Sequence, residues 1–153
     1  MAKHGVSYLC ALSLGLLVGC AGPDSVQDTC ACAQYFADEL AFTANPSSMK
    51  KAVKSKDASI VIVDLRKREH YKAGHVPGAV NLPFDEWNGF DGSKSDFSML
   101  DKTKMHYVYC YEQYCSLSAR AAYLFASNGY PVKEIKGGFK AYKDHKYPVE
   151  ASK

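Results

Sequence analysis

Ile60-Val-Ile-Val-Asp64 is an unbroken β-branched run with no polar alternation. A strand of that composition is covered on both faces, and such strands belong to parallel sheets. His106-Tyr-Val-Tyr-Cys110 is a second run of the same kind. Between the two, residues Arg68 to Lys72 predict a short helix and Gly74-His-Val-Pro-Gly78 a turn. Ala79-Val-Asn81 predicts a brief strand, and Asn88 to Ser98 a polar insert. Downstream, Leu117, Ala121, Leu124 and Phe125 recur at helical spacing until Asn128-Gly129 stops them. Val132 to Ile135 predicts another strand, and Gly137-Gly138 opens a last helix through Tyr142. Upstream, Asn45-Pro46 supplies a cap and a first-turn proline for a helix carrying Met49 and Val53 and ending near Lys56-Asp57. Ala33 to Phe42 places Phe36 and Leu40 at helical spacing and predicts a short docking helix. Strands alternating with helices in this way make an α/β sandwich around a mostly parallel sheet.

At 153 residues and 47% apolar side chains the chain supports one ordinary domain with appendages, and not two domains. Its 19 basic against 16 acidic residues are spread along the sequence without a stripe, which speaks against a nucleic-acid partner. Six cysteines are too few and too unevenly spaced for a disulfide scaffold, so each is read by its surroundings.

Met1 to Gly19 begins with Lys3 and His4 and continues as an apolar run ending on small residues, the pattern of an export signal. The run is shorter than the roughly 20 residues that cross a bilayer core. Leu17-Val-Gly-Cys20 resembles the lipobox of bacterial lipoproteins. That resemblance implies residues 1–19 as a lipoprotein signal peptide and lipidation of Cys20. Residues 20–44 then form a tether with a short helix, and residues 45–150 the main domain. Lipid chains on one cysteine anchor a protein without a membrane-spanning helix. The expected location is the bacterial cell envelope, facing the periplasm or the outside, with Ala21 after the cysteine favouring the outer membrane weakly.

Reactive groups in open α/β sheets gather where strands end and loops enter helices. Cys110 stands at such a point, and Tyr111, Glu112, Gln113, Tyr114, Cys115 and Ser116 lead directly into the next helix. Unpaired backbone N–H groups and the positive end of a helix dipole favour a thiolate there, so Cys110 is the expected nucleophile.

The chain at this point resembles the rhodanese family of sulfurtransferases. The resemblance rests on separated pieces: Ile62-Val-Asp-Leu-Arg66, Gly74-His-Val-Pro-Gly-Ala-Val-Asn-Leu-Pro83, the strand ending in Cys110, Ser118-Ala-Arg-Ala-Ala122, Gly129-Tyr-Pro-Val132 and Gly137-Gly-Phe139. It implies a rhodanese-like three-layer sandwich in which Cys110 takes sulfane sulfur as a persulfide and passes it to a thiol acceptor. The partners it implies are a small sulfur donor and either a thiol acceptor or a periplasmic protein thiol. Neither a cofactor nor a metal is expected. Asp64, Arg66 and His75 match family positions that usually tie the scaffold near the site. The chain departs from the family in its loop, where Cys115 replaces the usual arginine and Ser118 comes two residues late. Loss of that cation disfavours an oxyanionic donor such as thiosulfate, and Glu112 adds repulsion. Cys115 is expected to resolve or accept the sulfur; it also competes as nucleophile, because Arg120 stands at Cys-x4-Arg spacing from it. A phosphatase is disfavoured, since Ser116 and Ala121 occupy the positions its arginine would need.

Two further readings stand beside sulfur transfer: a thiol–disulfide oxidoreductase cycling Cys110 and Cys115, and an inactive fold presenting a binding surface. Cys30 and Cys32 form Cys-x-Cys, read chiefly as structural or incidental thiols, then as a redox or disulfide pair, and last as metal ligands. Tyr107, Tyr109, Tyr111 and Tyr114 are read as packing around a pocket more than as an apolar rim.

Overall fold

The computed structural model describes residues 29–85, 89–90, 97 and 99–152. Residues 1–19, expected to be a signal peptide, and Cys20 lie outside them, as does the side chain of Cys30. The chain divides into two compact units between Tyr35 and Phe36, and the fold and site below belong to the second.

In chain order the elements are α1 (Thr29–Phe42), β1 (Thr43–Ala44), α2 (Pro46–Ser55), β2 (Ile60–Asp64), α3 (Arg68–Ala73) and β3 (Val80–Asn81). There follow β4 (Phe84–Asp85), β5 (Gly89–Phe90), β6 (Met105–Tyr109), α4 (Leu117–Ser127), β7 (Val132–Ile135) and α5 (Gly138–Asp144). The main sheet runs β1-β7-β6-β2-β3, and every pairing in it is parallel. Helix α2 starts as its sequence predicts: Asn45 Oδ1 accepts from the amides of Ser47 and Ser48, and Pro46 sits in the first turn, where no N–H is needed.

Side chains alternate across the sheet and divide the interior into two cores. On one face Ile62, Tyr109 and Ile135 pack with Met49 and Ala52 of α2 and with Phe139 and Tyr142 of α5. On the other, Val63 and Val108 pack with Ala121 and Phe125 of α4, together with Leu65, Leu82, Phe84 and Phe97. A sheet covered by helices on both sides is what the run at 60–64 demanded.

Three expectations are corrected. The helix over Ala33–Phe42 exists within α1, but its large apolar residues Phe36, Leu40 and Phe42 are exposed, where a docking face would bury them. The polar insert begins inside an antiparallel pair, Phe84–Asp85 with Gly89–Phe90, and contributes buried Phe97 to the core; much of the rest falls outside the described residues. Thr43–Ala44, with no strand signal of its own, adds to the sheet edge beside Glu134 and Ile135, because a two-residue strand is set by its partner and not by propensity.

The central strands β2 and β6 lead in opposite directions, β2 through α3 to β3 and β6 through α4 to β7. Their carboxyl ends therefore open at the switch point where an open α/β sheet leaves a crevice.

Candidate active site

The scaffold under the crevice is a buried ion pair. Asp64, fully buried, accepts from the Arg66 amide at 2.9 Å, from Arg66 Nε at 3.0 Å and Nη2 at 2.6 Å, and from the Tyr109 hydroxyl at 2.6 Å. Arg66 Nη2 also donates to the Gly74 carbonyl at 2.6 Å, and its guanidinium lies 3.8 Å from the centre of the Phe139 ring. Burial works against the Arg66 charge, yet its bonds to Asp64 hold the guanidinium above its ordinary value. Burial and the neighbouring Asp64 charge push the Tyr109 phenol strongly up, so it stays protonated and can donate. The Tyr109 oxygen in turn accepts from the Val76 amide at 3.2 Å, which ties the 74–78 turn to the end of β6. His75, also buried, uses Nδ1 against the Tyr71 carbonyl at 2.8 Å and stacks on the Tyr71 ring.

The loop 110–116 is shaped from outside by α5. The amide of Phe139 donates to the Cys110 carbonyl at 2.9 Å, and that of Lys140 to the Tyr111 carbonyl at 2.8 Å. In a trans peptide the N–H points opposite to the C=O, so the amides of Tyr111 and Glu112 are turned into the loop. A turn closed by Cys115 N–H on the Glu112 carbonyl at 3.1 Å brings Cys115 back toward Cys110.

Gly138 permits this approach. It adopts φ +58°, and a Cβ there would stand 2.8 Å from the Cys110 carbonyl and 2.9 Å from the Glu112 nitrogen. Gly138→Ala is expected to cost about 1–3 kcal/mol. Chemical denaturation checks this; an unchanged midpoint contradicts it.

Both loop cysteines are free thiols, Cys110 fully buried and Cys115 half-buried. Cys110 Sγ donates to the Cys115 carbonyl at 3.4 Å and lies 3.4 Å from Ser118 Oγ. The Cys110 thiol, then the backbone amides of Tyr111, Leu117 and Glu112, stabilise a thiolate on Cys115 and pull it down to about 6. Cys110 is pushed strongly up, first by Cys115 beside it and then by burial. With their carbonyls anchored on α5, the amides of Tyr111 and Glu112 point into the loop that carries both cysteines.

The remaining loop residues line the mouth. Tyr111 turns away, its hydroxyl accepting from the Lys67 amide at 3.2 Å and its ring meeting His70 edge to face. Tyr114 is 93% exposed, so of the four tyrosines it is the one at the rim, whereas Tyr109 is buried in the core. Glu112, Gln113 and Tyr114 border a cavity of about 250 Å³ with Gly137, Lys140 and Asp144. Lys140 is held by Asp144 at 2.6 Å, which leaves the lining without surplus positive charge. Ser116 is exposed and makes no side-chain cap on α4. Cys32 is a half-buried free thiol on α1.

Sequence reasoning missed Ser118 and Glu134 as site residues. Ser118 Oγ donates to Glu134 Oε1 at 2.8 Å, and Lys136 Nζ lies 2.8 Å from Glu134 Oε2. The available signal was a carboxylate at Glu134 among the apolar positions of an inner parallel strand, where a partly buried charge needs a partner.

Comparison with known proteins agrees with this architecture. The profile of the rhodanese-like domain matches residues 45–145. The HTH-type transcriptional regulator Rv0324 of Mycobacterium tuberculosis is 29% identical over 91 residues, covering 60% of this chain and 38% of that protein. The adenylyltransferase and sulfurtransferase UBA4 of Candida albicans is 29% identical over 104 residues, covering 67% of this chain and 24% of its own length. The chain therefore spans well under half of these relatives. Among solved structures, the BH2092 protein of Bacillus halodurans superposes with TM-score 0.69 at 25% identity, over 80% of this chain and 86% of that one. The rhodanese-like domain of the Anabaena Alr3790 protein does so with TM-score 0.59 at 28% identity, over 71% and 78%. With a parallel sheet whose central strand ends in the cysteine loop and a family profile spanning most of the second unit, this chain belongs to the rhodanese-like domain family.

Proposed function

We propose that the protein is a sulfurtransferase that captures sulfane sulfur on the Cys110/Cys115 pair and passes it to a thiol acceptor, from an anchored position at the cell envelope. The observation that carries this reading is a half-buried Cys115 thiol on the same short loop as the buried Cys110 thiol, whose Sγ donates to the Cys115 carbonyl at 3.4 Å. The Cys110 thiol and the backbone amides of Tyr111, Leu117 and Glu112 pull Cys115 down. Cys110 occupies the family's nucleophile position, but the accessible thiolate is Cys115, so we assign capture to Cys115 and the second, resolving role to Cys110. This reverses the order expected from sequence.

The Cys115 thiolate attacks the outer sulfur of a donor R–S–S–H. A bond forms between the two sulfurs, the donor S–S bond breaks, and its electron pair leaves on RS⁻, giving Cys115–S–S–H. The loop amides favour negative charge on the bound sulfur. An acceptor thiolate then takes the outer sulfur and restores the Cys115 thiolate. Without an acceptor, Cys110 attacks the inner sulfur, so that a Cys110–Cys115 disulfide forms and hydrogen sulfide leaves. That branch needs an external dithiol reductant to start again.

Exposure of the reduced protein to a small persulfide, followed by peptide mass spectrometry, is expected to show one added sulfur in the peptide bearing the loop. Absence of added sulfur with persulfide, polysulfide and thiosulfate alike rejects the reading. Thiosulfate is expected to load at least about tenfold more slowly than a neutral persulfide, because no arginine grips its oxygens and Glu112 repels them. Equal rates contradict this donor preference. Capture should follow the Cys115 thiolate: it falls about tenfold per pH unit below about 6 and levels off above. A rate still rising through pH 9 would point to a different thiol.

The anchored position is tested separately at Cys20, which lies outside the described residues. Cys20→Ser is expected to abolish lipid attachment and release the protein from the membrane fraction. Wild-type protein recovered unlipidated and freely soluble rejects the anchor and leaves the sulfur chemistry untouched.

A further inference from the structure

We infer that Glu134, acting through Ser118, is a positioning residue that fixes Cys110 as the thiol of the pair and so leaves the negative charge to Cys115. The inference rests on the dithiol reading above and explains how two cysteines in one loop take different roles.

The placement of one hydrogen atom sets the direction of the chain from Glu134 to Cys110. A carboxylate only accepts, and a serine hydroxyl has a single proton to give. Ser118 Oγ gives it to Glu134 Oε1 at 2.8 Å, so what it presents to Cys110 Sγ, 3.4 Å away, is a lone pair. Cys110 also faces the Cys115 carbonyl at 3.4 Å and the Cys115 thiolate. Acceptors around one sulfur favour its S–H form and oppose a thiolate, whereas a Ser118 hydroxyl free to turn its proton toward Cys110 would favour the thiolate, as the Ser118 amide does. Of these groups the carbonyl cannot donate, and the Ser118 hydroxyl donates only if its proton turns from Glu134 to the sulfur. Glu134 is what prevents it.

The groups around this chain are accounted for. Lys136 Nζ, at the end of β7, is 2.8 Å from Glu134 Oε2, and Glu39 of α1 is 3.9 Å from Lys136. His106, on the same face of β6 as Cys110, is occupied by the Pro131 carbonyl at 2.8 Å. Ser118 is 2% exposed, so bulk water does not compete for its hydroxyl.

The test is Glu134→Gln, which keeps the shape. Lys136 donates only, so it draws the amide oxygen of the new side chain and turns the NH₂ toward Ser118. Ser118 then accepts from that NH₂ and points its own proton at Cys110, which reverses the chain. In a Cys115→Ala background, alkylation of Cys110 by iodoacetamide is followed by peptide mapping across pH 6 to 10. Glu134→Gln is expected to move the midpoint down by about one pH unit, a gain near tenfold in thiolate below the midpoint. With Ser118→Ala added, the substitution at Glu134 should have no further effect.

Slower alkylation in Glu134→Gln would make Glu134 a base that draws the proton from Cys110, and would overturn the inference. An unmoved midpoint, the outcome for a merely structural carboxylate, overturns it as well. Should Cys115→Ala fail to fold, the wild-type pair answers the question. Among singly alkylated molecules the share modified at Cys110 must rise in Glu134→Gln, and a constant share rejects the inference. Alkylation needs no sulfur donor, so these results stand apart from failure of the sulfurtransferase reading, which shows only as absent loading.

Discussion

Cys115→Ser is expected to lower sulfur capture by about 10³-fold or more, with the fold intact. Serine nearly matches cysteine in size, and Cys115 sits in a half-buried loop and not in either core, so packing changes little. What disappears is the more accessible of the two loop thiols, which the Cys110 thiol and the amides of Tyr111, Leu117 and Glu112 pull down. A serine hydroxyl there stays protonated and is a far weaker nucleophile. Cys110→Ser, by contrast, should keep capture and make the persulfide longer-lived, since the thiol that would expel sulfide is gone. Single-turnover loading with a persulfide donor, read by mass spectrometry at intervals, separates the two. Loading kept by Cys115→Ser and lost by Cys110→Ser would restore the order expected from sequence and place the persulfide on Cys110.

The largest loss of stability is expected at Asp64. Removing its carboxylate in Asp64→Ala strands three donors at once: the Arg66 amide, the Arg66 guanidinium and the Tyr109 hydroxyl. Arg66 has a 5% exposed side chain and, among the described residues, no other carboxylate bonded to it. Breaking a buried pair on one side typically costs about 3–5 kcal/mol, a large part of a small domain's stability. Urea unfolding of the two proteins measures the difference, and a loss under about 1 kcal/mol would show that Arg66 reaches water when Asp64 is gone. A replacement of both partners, Asp64→Asn with Arg66→Met, is expected to recover part of the loss, because no unpaired charge remains.

The parallel sheet and its covering helices were legible from the runs at 60–64 and 106–110, because a strand buried on both faces leaves no polar alternation and few other elements look like it. The caps at Asn45 and Gly129 and the glycine pair at 137–138 were legible too, since each answers a local backbone need that one or two residue types meet. So was the neighbourhood of the chemistry: a cysteine closing an inner strand before a helix identifies the loop before any coordinate does. Solvent exposure of the apolar residues of α1 was not legible, because periodicity marks a face without saying whether anything covers it.

Tertiary structure alone brings the half-buried Cys115 back beside the buried Cys110. Spacing places Cys110 and Cys115 on one loop, but the direction of each amide is set by the α5 amides of Phe139 and Lys140, which are distant in sequence. Gly138 looked like a helix start, and its closeness to the Cys110 carbonyl arises only when α5 folds onto the loop. Glu134 and Ser118 meet across an interface between a strand and a helix, and hydrogen-bond direction there depends on Lys136 and the surrounding acceptors. Propensity and pattern act over a few residues, so they establish elements and their order. Proton positions and thiol charges depend on atoms within a few ångströms in space, and those come together only in the folded chain.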